Sequence, residues 1–426
     1  MRLIFTLLHR WVGLTIAAFL FISGITGTII SWDHELDEVL NPHLFEVTSE
    51  GEAGAPLDLA RQLEARSPQV WVTYAPLTIE PGHAIAFGVE AKLDPATGKR
   101  HTIDYNQVFV DPVTGAEIGK RQWGAVWPIS RETVISFLYR LHYTLHIPEM
   151  WGISRWGLWL MGGVAVLWML DCFVGFYLTL PPRRAVEQSQ PAAVARQLRR
   201  GWWERWKPAW KIKTGGSAYR INFDIHRASG LWMWGVLFIL AFTGFALNLY
   251  SEVFYPAVRM VSEVTPTPFD KRTPADHNSP VVPRFTHSQI VDVAAREAAR
   301  RGIDEPPGAV HYASAYGIYS VSFFEPGHDH GPGGSSPRIL FFDGNDGRLL
   351  GRHRPWSGTA GDIFIQAQLP LHSGRILGLP GRILVSFMGL VVATLSVTGV
   401  VIWLRKRRAR VSRNHQAKMA GAHRGA

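Results

Sequence analysis

Four apolar stretches constrain this chain more than any other feature. Trp11–Ser31, Trp156–Leu180, Gly230–Tyr250 and Ile383–Leu404 are long and nearly free of charge. Each is long enough to cross a bilayer core, which takes about 20 helical residues. The first is too long for the apolar run of a signal peptide and is followed by no small-residue cleavage site, so it reads as an uncleaved anchor. The 426-residue chain then divides into a first span (1–31), a first outer segment (32–155), a second span (156–180), a basic loop (181–229), a third span (230–250), a second outer segment (251–379), a fourth span (380–404) and a basic tail (405–426).

Lys and Arg set the orientation. The loop 181–229 holds "RQLRRGWWERWKPAWKIK", and the tail opens with "RKRRARVSR". Segments 32–155 and 251–379 are mixed in charge, the first net acidic. Both termini and the basic loop are therefore expected in the cytoplasm and the two long segments in the periplasm, which is the topology of a bacterial inner-membrane protein. The net charge of +10 follows from this asymmetry, so no nucleic-acid partner is expected. "GWWERWKPAWK" reads as an interfacial element, with Trp at headgroup level and cations on anionic membrane lipid.

The chain also repeats itself. An offset of 217 puts His9 on His226, Gly13 on Gly230, Thr26 on Thr243 and Gly27 on Gly244. In the outer segments "VFVDPVTGAEIGK" matches "LFFDGNDGRLLGR", each a strand, a tight turn and a strand. "YRLHYTLH" precedes span two as "AQLPLHSG" precedes span four, and "VGFYLTLPPRR" matches "TGVVIWLRKRR" at the span ends. The expected fold is an α+β membrane protein: a four-helix transmembrane bundle built from two tandem parallel repeats, each with an outer α+β domain.

The "DHELDEVLNP" after span one, the repeated HR-x-x-GL, the "F-DP-TG" hairpin and the "LH" before each returning helix resemble the PepSY-associated transmembrane family. The resemblance runs to about Arg408. It implies PepSY-like periplasmic domains on a four-helix bundle. The family includes inner-membrane reductases of ferric siderophores as well as members of unknown role.

The histidines fall in two layers. His9 and His226 precede outward-running spans, at the cytoplasmic edge; His142 and His372 precede inward-running spans, at the periplasmic edge. A b-type haem takes two axial donors on opposite faces, and helix bundles present such pairs. One bis-His haem at each face is therefore expected, two haems b in all. His146 lies four residues after His142, on the same face if that segment is helical, and is an alternative outer ligand. Arg10 and Arg227 adjoin the inner pair as partners for haem propionates, and Arg375, with Arg140 and Arg382, would serve the outer haem.

Other features bound the chemistry. The single cysteine, Cys172, excludes intramolecular disulfides, Cys-built metal centres and covalent haem. No G-x-G-x-x-G, P-loop or H-E-x-x-H motif is present, so quinol or a separate cytoplasmic donor must supply electrons. Asp171, deep in span two, is a functional candidate because a carboxyl there is expensive. It would carry a proton, bond a ligand histidine or tie to a neighbouring helix.

"GHDHGPGG" carries His328 and His330, which suit a transition metal or simply a Gly-rich loop. His34, His43, His83, His101, His277, His287, His311 and His353 have no assigned role. Trp123, Trp127, Tyr139, Tyr143, Trp151 and Trp356 read as an interfacial belt before a docking surface. The leading expectation is reduction of a ferric siderophore or other iron chelate at the periplasmic face. The rivals are a non-redox component of siderophore or metal uptake and a regulatory or interaction module.

Overall fold

Strings of apolar residues with Gly and Ala between them leave a helix no polar face, and such helices form the first of two units. The computed structural model describes residues 1–182, 201–276 and 278–422, with side chains to residue 413. Most of the charge-dense start of the basic loop, 183–200, lies outside the described residues, as do His277 and the last four residues of the tail. One unit comprises Met1–Ser31, Leu141–Phe254 and Arg382–Ala426; the other comprises Trp32–Arg140 and Tyr255–Gly381.

The helices used below are α1 (Arg2–Ile30), α2 (Asp33–Leu40), α3 (Pro56–Arg66), α4 (Val134–Thr144), α5 (Trp156–Thr179), α6 (Ala218–Trp232), α7 (Trp234–Asn248), α8 (His287–Arg300), α9 (Gln368–Ser373) and α10 (Leu379–Ala422). Among the described residues three helices are long and apolar enough to span a membrane, α1, α5 and the Leu379–Arg413 part of α10, and the bent pair α6–α7 makes a fourth if it counts as one span. The chain is a multi-pass membrane protein.

The third apolar stretch departs from a straight Gly230–Tyr250 helix. Its helical backbone begins at Ala218, and α6 and α7 meet at a 71° bend. Two neighbouring indoles hold the bend. Trp232 Nε1 donates to Trp210 O at 3.1 Å, and Trp234 Nε1 donates to Cys172 O at 2.9 Å. An indole N–H seeks an acceptor where water is scarce, and these two find theirs on different elements. Met233 between them leaves helical geometry, with φ −101° and ψ 7°.

Small residues let the spanning helices touch. A Cβ on Gly24 of α1 would stand 2.5 Å from Gly389 O of α10, so only glycine permits that approach. Leu237 and Leu240 of α7 form an apolar core with Met388, Val391 and Val392 of α10, and Leu20 of α1 and Trp168 of α5 pack against it. Trp206 and Ala209 of the "GWWERWKPAWK" stretch bury themselves with Leu231, beside Phe176 and Leu180.

The second unit is built on alternation. β1 (Val70–Pro76), β2 (Ile85–Ala91), β3 (Gln107–Val110), β4 (Glu117–Arg121), β5 (Pro307–Ala313), β6 (Ile318–Phe323), β7 (Arg338–Asp343) and β8 (Leu349–His353) form one antiparallel sheet in the order β4-β3-β2-β1-β5-β6-β7-β8. β2 shows strict alternation, with Ile85, Phe87, Val89 and Ala91 buried. Helices α3 and α8 supply Leu59, Leu63, Ile290 and Ala294 to the core that the sheet covers.

Segments 32–155 and 251–379 share this sheet rather than forming separate ones. β1 pairs with β5 at Tyr74–His311, Ala75–Val310 and Pro76–Ala309. The pairing satisfies backbone groups that two four-stranded sheets would each leave on an open edge.

The two hairpins end on equivalent turns. Asp111 Oδ1 accepts from Val113 N at 2.8 Å, and Asp343 Oδ1 accepts from Asn345 N at 2.7 Å. Gly115 and Gly347 follow with φ of 69° and 70°, the left-handed backbone that glycine tolerates. Burial alone would raise both carboxyl pKa values. Hydrogen bonds from Ser49, Val113 and Thr114 to Asp111, and from Asn345 and Arg272 to Asp343, outweigh it and hold both below the usual range.

Candidate functional site

His9 and His226 face one cavity of the first unit, and each is positioned from behind in the same way. His9 Nδ1 lies 2.9 Å from both carboxylate oxygens of Asp171 on α5. One turn further along α5, Gly175 leaves room for the ring: a Cβ there would stand 3.5 Å from His9 Cε1. His226 Nδ1 lies 2.9 Å from Thr398 Oγ1 on α10, and a Cβ on Gly399 would stand 3.2 Å from His226 Cε1. His142, in the last turn of α4, repeats the arrangement against α1. Its Nδ1 is 3.0 Å from Thr26 Oγ1, and a Cβ on Gly27 would stand 3.0 Å from its Cε1.

The hydroxyl partners favour one tautomer. Thr398 Oγ1 donates its proton to Thr394 O at 2.7 Å, and Thr26 Oγ1 donates to Ile22 O at 2.7 Å. With that proton on the helix carbonyl, each oxygen can accept from an imidazole Nδ1–H. Asp171, as a carboxylate, likewise accepts from His9 Nδ1–H. This tautomer places the imidazole lone pair on Nε2. This is the way metal-ligating histidines are held, with one nitrogen oriented by an acceptor and the other turned to the metal.

The geometry of the pair fits a shared iron. The His9 and His226 ring centroids are 6.1 Å apart, with planes at 58°. Metal–imidazole bonds of about 2 Å on opposite sides of one ion put the two centroids roughly 6 Å apart. The cavity measures about 460 Å³, within the usual range for small-molecule sites. Gly13 and Gly230 line it, and Cβ atoms there would find nothing closer than Asp171 Oδ2 at 4.0 Å and Leu395 Cδ2 at 3.7 Å. Arg2, Arg10, Arg227, Lys406 and Arg410 give the lining several cations.

Arg10 and Arg227 differ in commitment. Arg10 Nε is buried with no hydrogen-bond partner, and the guanidinium lies over the Trp11 ring, 5.6 Å from its centroid. Arg227 donates to Asp224 Oδ1 at 2.8 Å and to Pro208 O at 2.6 Å, while its Nε is also buried without an acceptor. Asp224, fully buried, takes Arg220 as a second partner at 2.9 Å. Two imidazoles with several cations beside them could hold a metallated macrocycle that carries anionic side groups.

The other expected residues lie elsewhere. His372 stands in the last turn of α9, within the second unit. His146 does not share a helical face with His142. Helix α4 ends at Thr144, and Leu145 and His146 take left-handed φ values of 53° and 52°. Pro148 follows two residues later and disfavours helix at Ile147, while Thr144 Oγ1 accepts from His146 N at 3.2 Å. Arg375 pairs with Asp33 at 3.7 Å, Arg140 donates to Gly124 O at 3.1 Å, and Arg382 donates twice to Ser31 O, at 3.1 and 2.8 Å.

Thr26, Thr398, Gly175 and Gly399 were not anticipated as parts of a site. The aligned glycines of "VGFY" and "TGVV" were visible in the repeat, but nothing in the sequence says that a histidine ring rests on them.

The chain matches the model of the PepSY-associated TM region over residues 6–406, nearly its whole length, and belongs to that family. No curated protein matches it.

Proposed function

We propose that this chain is an electron-transfer protein of a bacterial inner membrane that holds two b-type haems in bis-His sites and reduces a ferric siderophore, or another ferric chelate, at the periplasmic face. One observation carries the reading. Three histidines share one mould, an oxygen behind Nδ1 and a glycine under Cε1, and two of them line one cavity with ring centroids 6.1 Å apart, a separation that suits a shared iron.

In this reading the chain is a tandem duplication with both termini cytoplasmic. His9 and His226 ligate the inner group, with Arg10 and Arg227 beside its propionates. The sequence pattern assigns the outer one to His142 and His372. Bound haem supplies one-electron chemistry at its iron. Asp171, Thr398 and Thr26 orient the ligand rings. The net reaction takes one electron per ferric ion, drawn from quinol or a separate cytoplasmic donor. Ferrous iron is softer than ferric iron, and hard oxygen donors hold it less tightly.

The test is a dithionite-reduced minus oxidised absorbance spectrum of the detergent-purified chain, expressed with haem supplied, together with haem quantitation. Sharp b-type bands at two haems per chain are expected. Absence of haem would overturn the redox reading and leave a non-redox role in uptake or regulation.

A further inference from the structure

Three donors converge in the second unit that the bundle site does not use. His34 lies in the first turn of α2, and Asp329 and His330 lie on the loop between β6 and β7. One ligand atom from each lies within 4.8 Å of the other two, and the two imidazole centroids are 6.1 Å apart at 66°. All three residues are exposed. Burial of apolar surface therefore does not account for two imidazoles meeting from segments nearly 300 residues apart.

The surroundings brace this arrangement from both sides. Trp356 Nε1 donates to Pro332 O at 2.6 Å, and Gly331 N donates to Ser335 O at 2.8 Å, which pins the base of the loop. Gly334, at φ 70°, lies so close to Arg375 that no Cβ would fit. Arg375 in turn pairs with Asp33, the neighbour of His34. One arginine thus supports the helix that carries His34 and the loop that carries His330, and Asp33 offsets its charge. His328 stands outside the trio, with Nδ1 at 3.2 Å from Pro326 O.

We propose that His34, Asp329 and His330 bind a divalent first-row transition-metal ion, with water in the remaining positions. Two imidazoles and a carboxylate suit such ions, whereas magnesium and calcium prefer all-oxygen shells. Bond lengths of about 2.0–2.2 Å place neighbouring donors roughly 3 Å apart, so donors within 4.8 Å of one another close by up to about 1.8 Å on binding. Gly327, at φ 75°, puts a residue of wide backbone tolerance next to this part of the loop. The inference is independent of haem in the bundle.

The test is titration of the full-length chain in detergent with zinc by calorimetry and with cobalt by visible absorption. One ion per chain is expected at this site, with cobalt giving d–d bands of imidazole–carboxylate ligation. His34→Ala or His330→Ala should each weaken binding by about tenfold or more, and the triple variant H34A/D329A/H330A should lose that ion. Zinc should also shield His34 and His330 of the unaltered chain from diethyl pyrocarbonate, a reading that needs no substitution. The proposal is overturned if zinc uptake and affinity are the same in the triple variant, if equimolar magnesium displaces zinc, or if zinc leaves both histidines reactive.

Discussion

The two imidazoles that share the cavity are held by different acceptors. His9 leans on a carboxylate, Asp171, and His226 on a hydroxyl, Thr398, whose own proton is spent on Thr394 O. The repeat would not forecast this. Thr398 corresponds to Val174, while Asp171 corresponds to Leu395. One half takes its acceptor from the residue before the glycine, and the other takes it from one turn earlier. Both solutions reach Nδ1 and leave Nε2 turned the other way. The two imidazoles are alike in geometry but should differ in basicity, because a carboxylate drains proton density from an imidazole more strongly than a hydroxyl does.

The largest effect that can break this comparison is loss of either ring. His9→Ala and His226→Ala should each lower bound haem from two to one per chain, measured by haem quantitation, since neither imidazole alone completes a bis-His site. If only one of the two substitutions removes haem, the cavity does not hold a shared group and the comparison is between unrelated residues.

The acceptors come next. Asp171→Asn keeps an oxygen near His9 but removes the charge. The midpoint potential of the cavity haem should rise by roughly 60 mV, the one-electron equivalent of a tenfold change. Thr398→Val should move it by less than about half of that, because no charge is lost. Redox titration followed at the b-type bands reads both. Equal shifts would mean that the carboxylate has no special part.

The glycines should matter less. Gly399→Ala places a methyl group 3.2 Å from His226 Cε1, tighter than the 3.5 Å at Gly175 opposite His9. Haem retention on dilution should therefore fall more in Gly399→Ala than in Gly175→Ala. The reverse order would show that the α10 side of the cavity yields more readily than the α5 side.

How much of this was legible depended on whether the signal was local. The spanning stretches, the paired HR-x-x-GL motifs and the Asp–Gly hairpin turns are all written within short windows, and periodicity or turn chemistry exposes them. The β1–β5 pairing joins strands more than 200 residues apart, and no window contains both. The bend at Met233 depends on what Trp232 and Trp234 find across space. Thr26 and Thr398 look like ordinary helix threonines, because their i−4 hydrogen bonds are the usual ones and only the second partner is informative. His34 had no partner in sequence at all, and the loop bearing His330 gives it one.

A histidine of the second unit serves as a control for what burial without such an acceptor does. His287 packs edge-on against Tyr319, with ring centroids 5.2 Å apart, and its Nε2 has no hydrogen-bond partner. Burial, with a smaller contribution from nearby His311, pushes its pKa down to about 4. The unfolded chain takes up a proton near pH 6.5 and the folded chain does not, so folding is most favoured above about pH 6.5. As pH falls from there to about 4 the folded state loses stability, on the order of 3 kcal/mol in all, and no more is lost to this group below its folded pKa.

His287→Phe keeps the ring contact and removes the titration. Its thermal unfolding should therefore vary less with pH than that of the unaltered chain between about 6.5 and 4. The fall below about pH 4, where Asp111 and Asp343 take up protons as their folded values are passed, should persist. Haem content should not change. If His287→Phe instead lost haem, a buried ring without an oxygen behind Nδ1 would also be part of the redox site, and the acceptor-and-glycine mould would no longer distinguish ligands from packing histidines.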